Sequence, residues 1–243
     1  MKLITYKSDE FKVIFNAVSE LIDEANLTVS KDGLRIFEPD AAMVVMVKSI
    51  FKPEYFEIFE VPEEEKIGIN LHNFMDILKL HNKEKLEITR DGTKLAIRFL
   101  DNNRRFTIPI LNITETAKPE TASLEFKTVA EMPTKELKVA VTDADTLTDS
   151  LIFNFENNMM NFEAESDVST YKKEVNSDDL IIRKAENSRS RYPVDYLKKI
   201  LKAEKIFETV CINFGTDYPA KFDFKNGGKL ELSYLLAPRV PEE

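Results

Sequence analysis

The residue types that carry chemistry are few in this chain and poorly spaced for it. The two histidines, His72 and His81, stand nine positions apart, a separation that does not pair two imidazoles as metal ligands. The one cysteine, Cys211, lies in an apolar run and reads as a packed side chain rather than a nucleophile. No Gly-x-Ser-x-Gly, Walker or dinucleotide-binding glycine pattern occurs, and the carboxylates are scattered through loops. No catalytic set and no metal set is expected. The charged residues with some order are lysines. Lys12, then Lys79 and Lys83 around His81, then Lys135 and Lys138, then Lys198, Lys199 and Lys202 fall on or beside four amphipathic segments. On residue type alone these are solvated helix faces, with cations near C-termini where the helix dipole favours them. No aromatic ladder or arginine fork suggests base reading.

Composition narrows the class. The chain has 243 residues, 43% hydrophobic and 32% charged, enough for one large domain or two of common size. Six glycines and no tryptophan argue against a glycine-looped nucleotide fold. A single cysteine cannot form an internal disulfide, which suits a reducing intracellular compartment. No apolar run reaches the ~20 residues of a membrane helix, and MKLITYKSDEF does not read as a signal peptide. The net charge of −9 argues against general affinity for nucleic acid or anionic membrane, though not against a local basic surface.

The elements that must position these residues follow a repeated pattern. Residues 3–6 predict a strand, with Ser8 or Asp9 capping a helix of about four turns through Phe11, Ile14, Phe15, Val18, Leu21, Ile22 and Ala25. Residues 27–30 and 34–37 form a hairpin about Asp32-Gly33, and residues 43–50 another strand. The acidic run 63–65 reads as a solvated loop. The plan recurs with a strand at 66–70, a helix through Leu71, Phe74, Met75 and Leu78, a hairpin about Asp91-Gly92, and a strand at 105–110.

Residues 113–125 lose the apolar run and gather Thr, Lys, Pro and Glu, the composition of an exposed connector between domains 1–112 and 126–243. Beyond it, strands are expected at 124–128, 151–155, 160–164 and 170–175. A helix follows Pro133, placed at its first turn, through Leu137, Ala140, Val141, Ala144 and Leu147. Residues 180–183 open the last unit, Pro193 leads its helix, and strands at 210–214, 220–224 and 230–236 finish it. The expected class is α+β: four strand-helix-three-strand units, two per domain, with helices on one face of antiparallel sheets.

Four stretches carry a resemblance over essentially the whole chain. They are Leu21-Ile22-Asp23-Glu24-Ala25 with its Asp32-Gly33 turn, Pro39 with Met43-Val44-Val45-Met46-Val47, Ile67-Gly68-Ile69-Asn70-Leu71 leading into Ile77-Leu78-Lys79, and Leu235-Leu236-Ala237-Pro238-Arg239-Val240 with its acidic tail. Tyr192-Pro193-Val194-Asp195-Tyr196-Leu197 is a weaker fifth. The chain resembles the sliding DNA clamps of the proliferating cell nuclear antigen (PCNA) family, archaeal in type. That resemblance implies three two-domain subunits closed head to tail, with helices lining a hole for duplex DNA and sheets outside. It implies a processivity factor for DNA replication and repair that is opened by a clamp loader and does no chemistry. Such a clamp tethers DNA polymerase, flap endonuclease and DNA ligase through Gln-x-x-aliphatic-x-x-aromatic-aromatic peptides. No cofactor, metal or membrane is implied, and the place of work is the cytoplasm or nucleoid of an archaeon, or the nucleus of a eukaryote.

By the same resemblance, Lys12, Lys79, Lys83, Lys138, Lys198, Lys199 and Lys202 face DNA through sequence-independent, salt-dependent phosphate contacts. The peptide pocket falls on Met43, Val44, Met46, Ala117, Leu235, Ala237 and Pro238. Alternation places Val44 and Met46 on one strand face, Met43 and Val45 on the other. Thr116, Ala117 and Lys118 make the connector edge of that pocket polar. Subunits pair through Arg105, Phe106 and Ile108 of one copy and Tyr171, Lys173 and Val175 of the next. The charges flanking these strands are mainly basic, so repulsion between copies and a trimer favoured by moderate salt are expected. A specialised subunit of a mixed ring is the alternative, and an α+β enzyme of unknown reaction a remote one.

Overall fold

In the computed structural model, residues 1–80, 83–114 and 123–239 are described. The first half of the chain runs β1 (Lys2–Thr5), α1 (Ser8–Ser19), β2 (Glu24–Ser30), β3 (Gly33–Pro39), β4 (Val45–Phe51), β5 (Ile58–Glu60), β6 (Glu65–Asn70), α2 (Leu71–Lys79), β7 (Leu86–Asp91), β8 (Lys94–Phe99) and β9 (Arg104–Pro109). The second half runs β10 (Thr128–Pro133), α3 (Thr134–Asp145), β11 (Ser150–Glu156), β12 (Met159–Glu165), β13 (Thr170–Glu174), β14 (Ile181–Ala185), β15 (Ser188–Pro193), α4 (Val194–Ile200), β16 (Thr209–Phe214), β17 (Ala220–Asn226) and β18 (Leu230–Leu236). The strand-helix-three-strand plan therefore occurs four times among the described residues, with β5 and β14 added after the first and third occurrences.

Strand neighbours repeat as faithfully as strand order. The succession β5-β1-β7-β8-β9 is matched by β14-β10-β16-β17-β18, and β4-β3-β2-β6 by β13-β12-β11-β15. The chain divides into two compact units, the first drawing on the described residues of Met1–Ala41, Val47–Lys118 and Asn226–Leu232. The second draws on those of Ala42–Met46, Pro119–Lys225 and Ser233–Glu243.

Each unit has an aromatic core made by the stripes that the sequence shows. In the first, Phe11 and Phe15 of α1 meet at 4.5 Å, Phe15 and Phe74 of α2 at 4.9 Å, and Phe11 and Phe51 of β4 at 5.0 Å. In the second, Phe153 lies 5.0 Å from Phe162 and 4.9 Å from Tyr192. Burying each such ring contributes about 1.5–3 kcal/mol, so these clusters account for why each helix lies on its sheet. Gly33, at φ +128°, is required, because a Cβ there would stand 2.2 Å from the Phe51 carbonyl oxygen.

Local signals set several boundaries differently from expectation. Ser8 does not cap α1. It is the first helical residue, and its hydroxyl donates to the Glu84 carbonyl at 2.7 Å. The apolar stripe continues past Ser19, but Leu21 and Ile22 lie beyond the helix and Ala25 belongs to β2. Strand β4 begins at Val45, so Met43 and Val44 sit in a turn and strand alternation does not govern them. Glu65 is not loop but the first residue of β6, paired with Arg90 at 3.1 Å. Strand β10 begins at Thr128, not at Leu124. Pro133 ends it, opposite Thr209, rather than opening α3. The strand leading into α4 is β15, whereas β14 pairs back with β10. In these cases sheet pairing, a long-range effect, overrides a local preference.

Candidate docking and nucleic-acid surfaces

The turn between β3 and β4 presents one large apolar side chain outward. Met43 is 54% exposed and holds φ 58°, a left-handed conformation uncommon for a bulky residue. Its neighbour Val44 accepts a hydrogen bond through its carbonyl from the Ala237 amide at 2.9 Å. Beyond β18, the Arg239 amide donates to the Arg191 carbonyl at 2.7 Å, and the Arg239 guanidinium Nη1 lies 2.5 Å from Asp149 Oδ2. That hydrogen bond from Arg239 holds the Asp149 carboxyl below the usual carboxylate range. The segment 237–239 is thus fixed at its amides and its guanidinium. Val44, Leu235, Ala237 and Pro238 are half-buried, whereas Met46 is 4% exposed and belongs to the core. Ala117, like Thr116 and Lys118, lies outside the described residues. The result is a shelf of apolar side chains on an anchored backbone, suited to receiving apolar or aromatic groups.

The helix lysines divide into two sets. Lys79 pairs with Asp76 at 3.1 Å, Lys138 with Glu204 at 2.6 Å, and Lys198 with Asp145 at 2.8 Å. The Asp145 hydrogen bond and charge raise the Lys198 pKa. Lys12 on α1 and Lys202 beyond α4 have no such partner among the described residues, and Lys199 lies over the Tyr196 ring at 5.5 Å. Lys83 is exposed in the loop after α2, and His81 lies outside the described residues. Asp9, Glu10, Glu136, Asp143 and Asp195 share the same helices, so these faces carry mixed charge.

Strands β9 and β13 each end the succession of their sheet, leaving one backbone edge without a strand partner among the described residues. On β9, Phe106 packs edge-on against Phe99 at 5.7 Å, and Ile108 is buried. On β13, Tyr171 is half-buried and Lys173 reaches Glu136 of α3 at 2.6 Å; Val175, one residue beyond, is buried. Three of the four basic residues here have acidic partners within the chain: Arg104 with Glu84 at 2.6 Å, Arg105 with Asp91 at 2.6 Å, and Lys173 with Glu136. This pairing lowers the bare positive charge that each edge presents, while Lys172 of β13 stays exposed. Sequence reasoning missed Arg104 as a hub. Its guanidinium also donates to the Leu80 carbonyl at 3.1 Å, closing the C-terminus of α2, and lies 4.7 Å from the Phe99 ring centroid. It also missed Asp149, whose partner Arg239 lies ninety positions away.

Elsewhere, His72 Nε2 is 2.9 Å from Asp23 Oδ1, a pair that ties the first turn of α2 to the loop before β2. Among the described residues, no group of three or more His, Cys, Asp or Glu is placed to hold a metal ion. The half-buried Cys211 thiol is pushed up in pKa by burial and by the nearby Asp223 and Glu131 carboxylates, which disfavours a thiolate. No helix is long and apolar enough to cross a membrane among the described residues.

Two duplicated α+β units, with open strand edges and matched strand successions, define the DNA clamp fold. The family description "Proliferating cell nuclear antigen, N-terminal domain" matches residues 5–110, and "Proliferating cell nuclear antigen, C-terminal domain" matches residues 120–239. The chain belongs to the proliferating cell nuclear antigen family. It is 34% identical to a DNA polymerase sliding clamp of Methanocella arvoryzae, over 97% of each chain. A PCNA structure from Thermococcus kodakaraensis is 27% identical and superposes with TM-score 0.90, covering 98% of this chain and 99% of that one. A structure of A. fulgidus PCNA with the C-terminal region of FEN-1 bound is 28% identical, with TM-score 0.89 over 100% and 99% of the two chains.

Proposed function

We propose that this chain is a DNA polymerase sliding clamp. It closes with two further copies into a ring around duplex DNA and tethers polymerase, flap endonuclease, ligase and clamp loader by short peptides. It does no chemistry of its own, and it works inside the cell where DNA is replicated and repaired. The observation that carries the reading is the matching strand order of the two units, with β9 at an end of its sheet in one and β13 at an end of its sheet in the other. An open edge in each half lets identical copies join head to tail, a heterologous contact that makes a ring when the rotation closes. Internal pairing of Arg104, Arg105 and Lys173 favours self-pairing, since it lessens the repulsion a second copy meets. The peptide site is the shelf of Met43, Val44, Leu235, Ala237 and Pro238. The DNA contact is weak and sequence-blind, carried by Lys12, Lys199 and Lys202.

A loading assay on nicked circular DNA tests the function. The protein, loaded by a clamp loader with ATP, should stay on the circle and leave after the circle is cut. Retention on the linear form rules out a sliding ring.

A further inference from the structure

We propose that Met43 is a redox-sensitive contact, oxidation of whose thioether by a hydroperoxide weakens peptide docking without unfolding the chain. The inference rests on the docking role of the shelf and names a modification that regulates it.

Methionine exposure separates Met43 from the core. Met46, Met75, Met132 and Met160 are 4%, 2%, 1% and 0% exposed, so a peroxide reaches their sulfurs only when the chain opens. Met43 at 54% and Met159 at 41% are open in the folded state. Only Met43 adjoins the shelf; Met159 begins β12, at a hairpin. Because Met43 sits in a turn and fills no core space, a larger and more polar side chain there costs the fold little.

The shelf offers the product mainly apolar surface. A thioether is apolar and polarizable, whereas a sulfoxide carries a strong acceptor oxygen. Two donors of the C-terminal segment are already engaged, and one of its positions has none. The Ala237 amide is taken by Val44, Pro238 has no N–H, and the Arg239 amide is taken by Arg191. One guanidinium nitrogen of Arg239 is engaged by Asp149. A sulfoxide covered by an apolar or aromatic peptide side chain would lose water from its oxygen, and that side chain supplies no donor in return, which is the costly case.

The step balances simply. The sulfur lone pair attacks the distal oxygen of the hydroperoxide, the O–O bond breaks, and an S=O group forms. Sulfur loses two electrons, and the peroxide is reduced to water, or to an alcohol if it is an alkyl hydroperoxide. A dithiol-dependent sulfoxide reductase restores the thioether.

The test uses the full chain with Met159→Leu, so that Met43 is the exposed methionine under study. Hydrogen peroxide is added to partial oxidation, the sulfoxide is mapped by peptide mass, and a synthetic Gln-x-x-Leu-x-x-Phe-Phe peptide is titrated. Met43 should oxidise before Met46, and the oxidised protein should bind the peptide about tenfold more weakly with unchanged melting temperature. A Met43→Leu, Met159→Leu protein, referred to its own untreated affinity, should be unmoved by peroxide. Unchanged affinity at full Met43 oxidation overturns the proposal, as does an equal loss in the Met43→Leu protein. No binding before treatment overturns the docking role itself.

Discussion

Asp149 Oδ2 accepts from Arg239 Nη1 at 2.5 Å, joining the loop before β11 to the segment that follows β18. Both groups are exposed, so the pair adds little to global stability. Its effect is local, because it holds the backbone that carries Ala237 and Pro238. Asp149→Asn should weaken docking of a Gln-x-x-Leu-x-x-Phe-Phe peptide by a few-fold while moving the melting temperature by no more than about 2 °C. Calorimetric titration beside a thermal melt checks both.

The same pair sets a pH dependence with a definite sign. The Asp149 pKa is depressed in the fold, so its contribution is complete above the unfolded carboxyl pKa of about 3.9 and is lost as pH falls through the folded value. Peptide affinity should therefore be flat above about pH 5 and fall in acid, more steeply for the native chain than for Asp149→Asn. Parallel acid limbs for the two proteins would show that Asp149 is not the group that titrates.

Val44→Asp with Leu235→Asp should abolish peptide docking, by well over tenfold, and leave assembly intact, since both side chains are only half-buried. Met46 is unsuitable for this purpose. It is 4% exposed, and a charge there would cost fold stability directly.

At the subunit edge, Phe106→Asp removes apolar area from β9 and places a carboxylate on a strand meant to pair. Sedimentation should show the native chain near three times 28.0 kDa and the variant near 28.0 kDa. Because the edge arginines and Lys173 have internal partners, the native mass should hold from low to moderate salt. A native chain that is monomeric at every salt, and trimeric only with a sister subunit, would favour the mixed ring.

The helix lysines should not be equivalent on DNA. Alanine at Lys12, Lys199 and Lys202 should reduce the salt dependence of DNA association by roughly one slope unit for each phosphate no longer neutralised. Alanine at Lys79, Lys138 and Lys198 should change it much less, since those cations are already paired with Asp76, Glu204 and Asp145. Equal slopes for the two triple variants would show that the pairs open when DNA arrives.

Much of the fold follows from short-range pattern. Phe11, Ile14, Phe15 and Val18 mark α1, and Leu71, Phe74, Met75 and Leu78 mark α2, because a 3.6-residue period leaves one stripe to bury. Asp32-Gly33 and Asp91-Gly92 announce their hairpins because the turn needs a residue that tolerates positive φ. Four such units in order, with family stretches at both ends, sufficed for the class and its function. The sites needed more. Whether Lys138 is a free cation depends on Glu204, sixty-six positions away, and whether Arg239 is a latch depends on Asp149, ninety positions away. Met43 and Met46 look alike in a run of aliphatics, yet one is exposed in a left-handed turn and the other lies in the core. Local pattern reports how a segment can bend and which face is apolar. Pairing, burial and charge compensation are decided by residues that meet only after the chain has closed on itself, and those meetings turn a lysine or a methionine into a site.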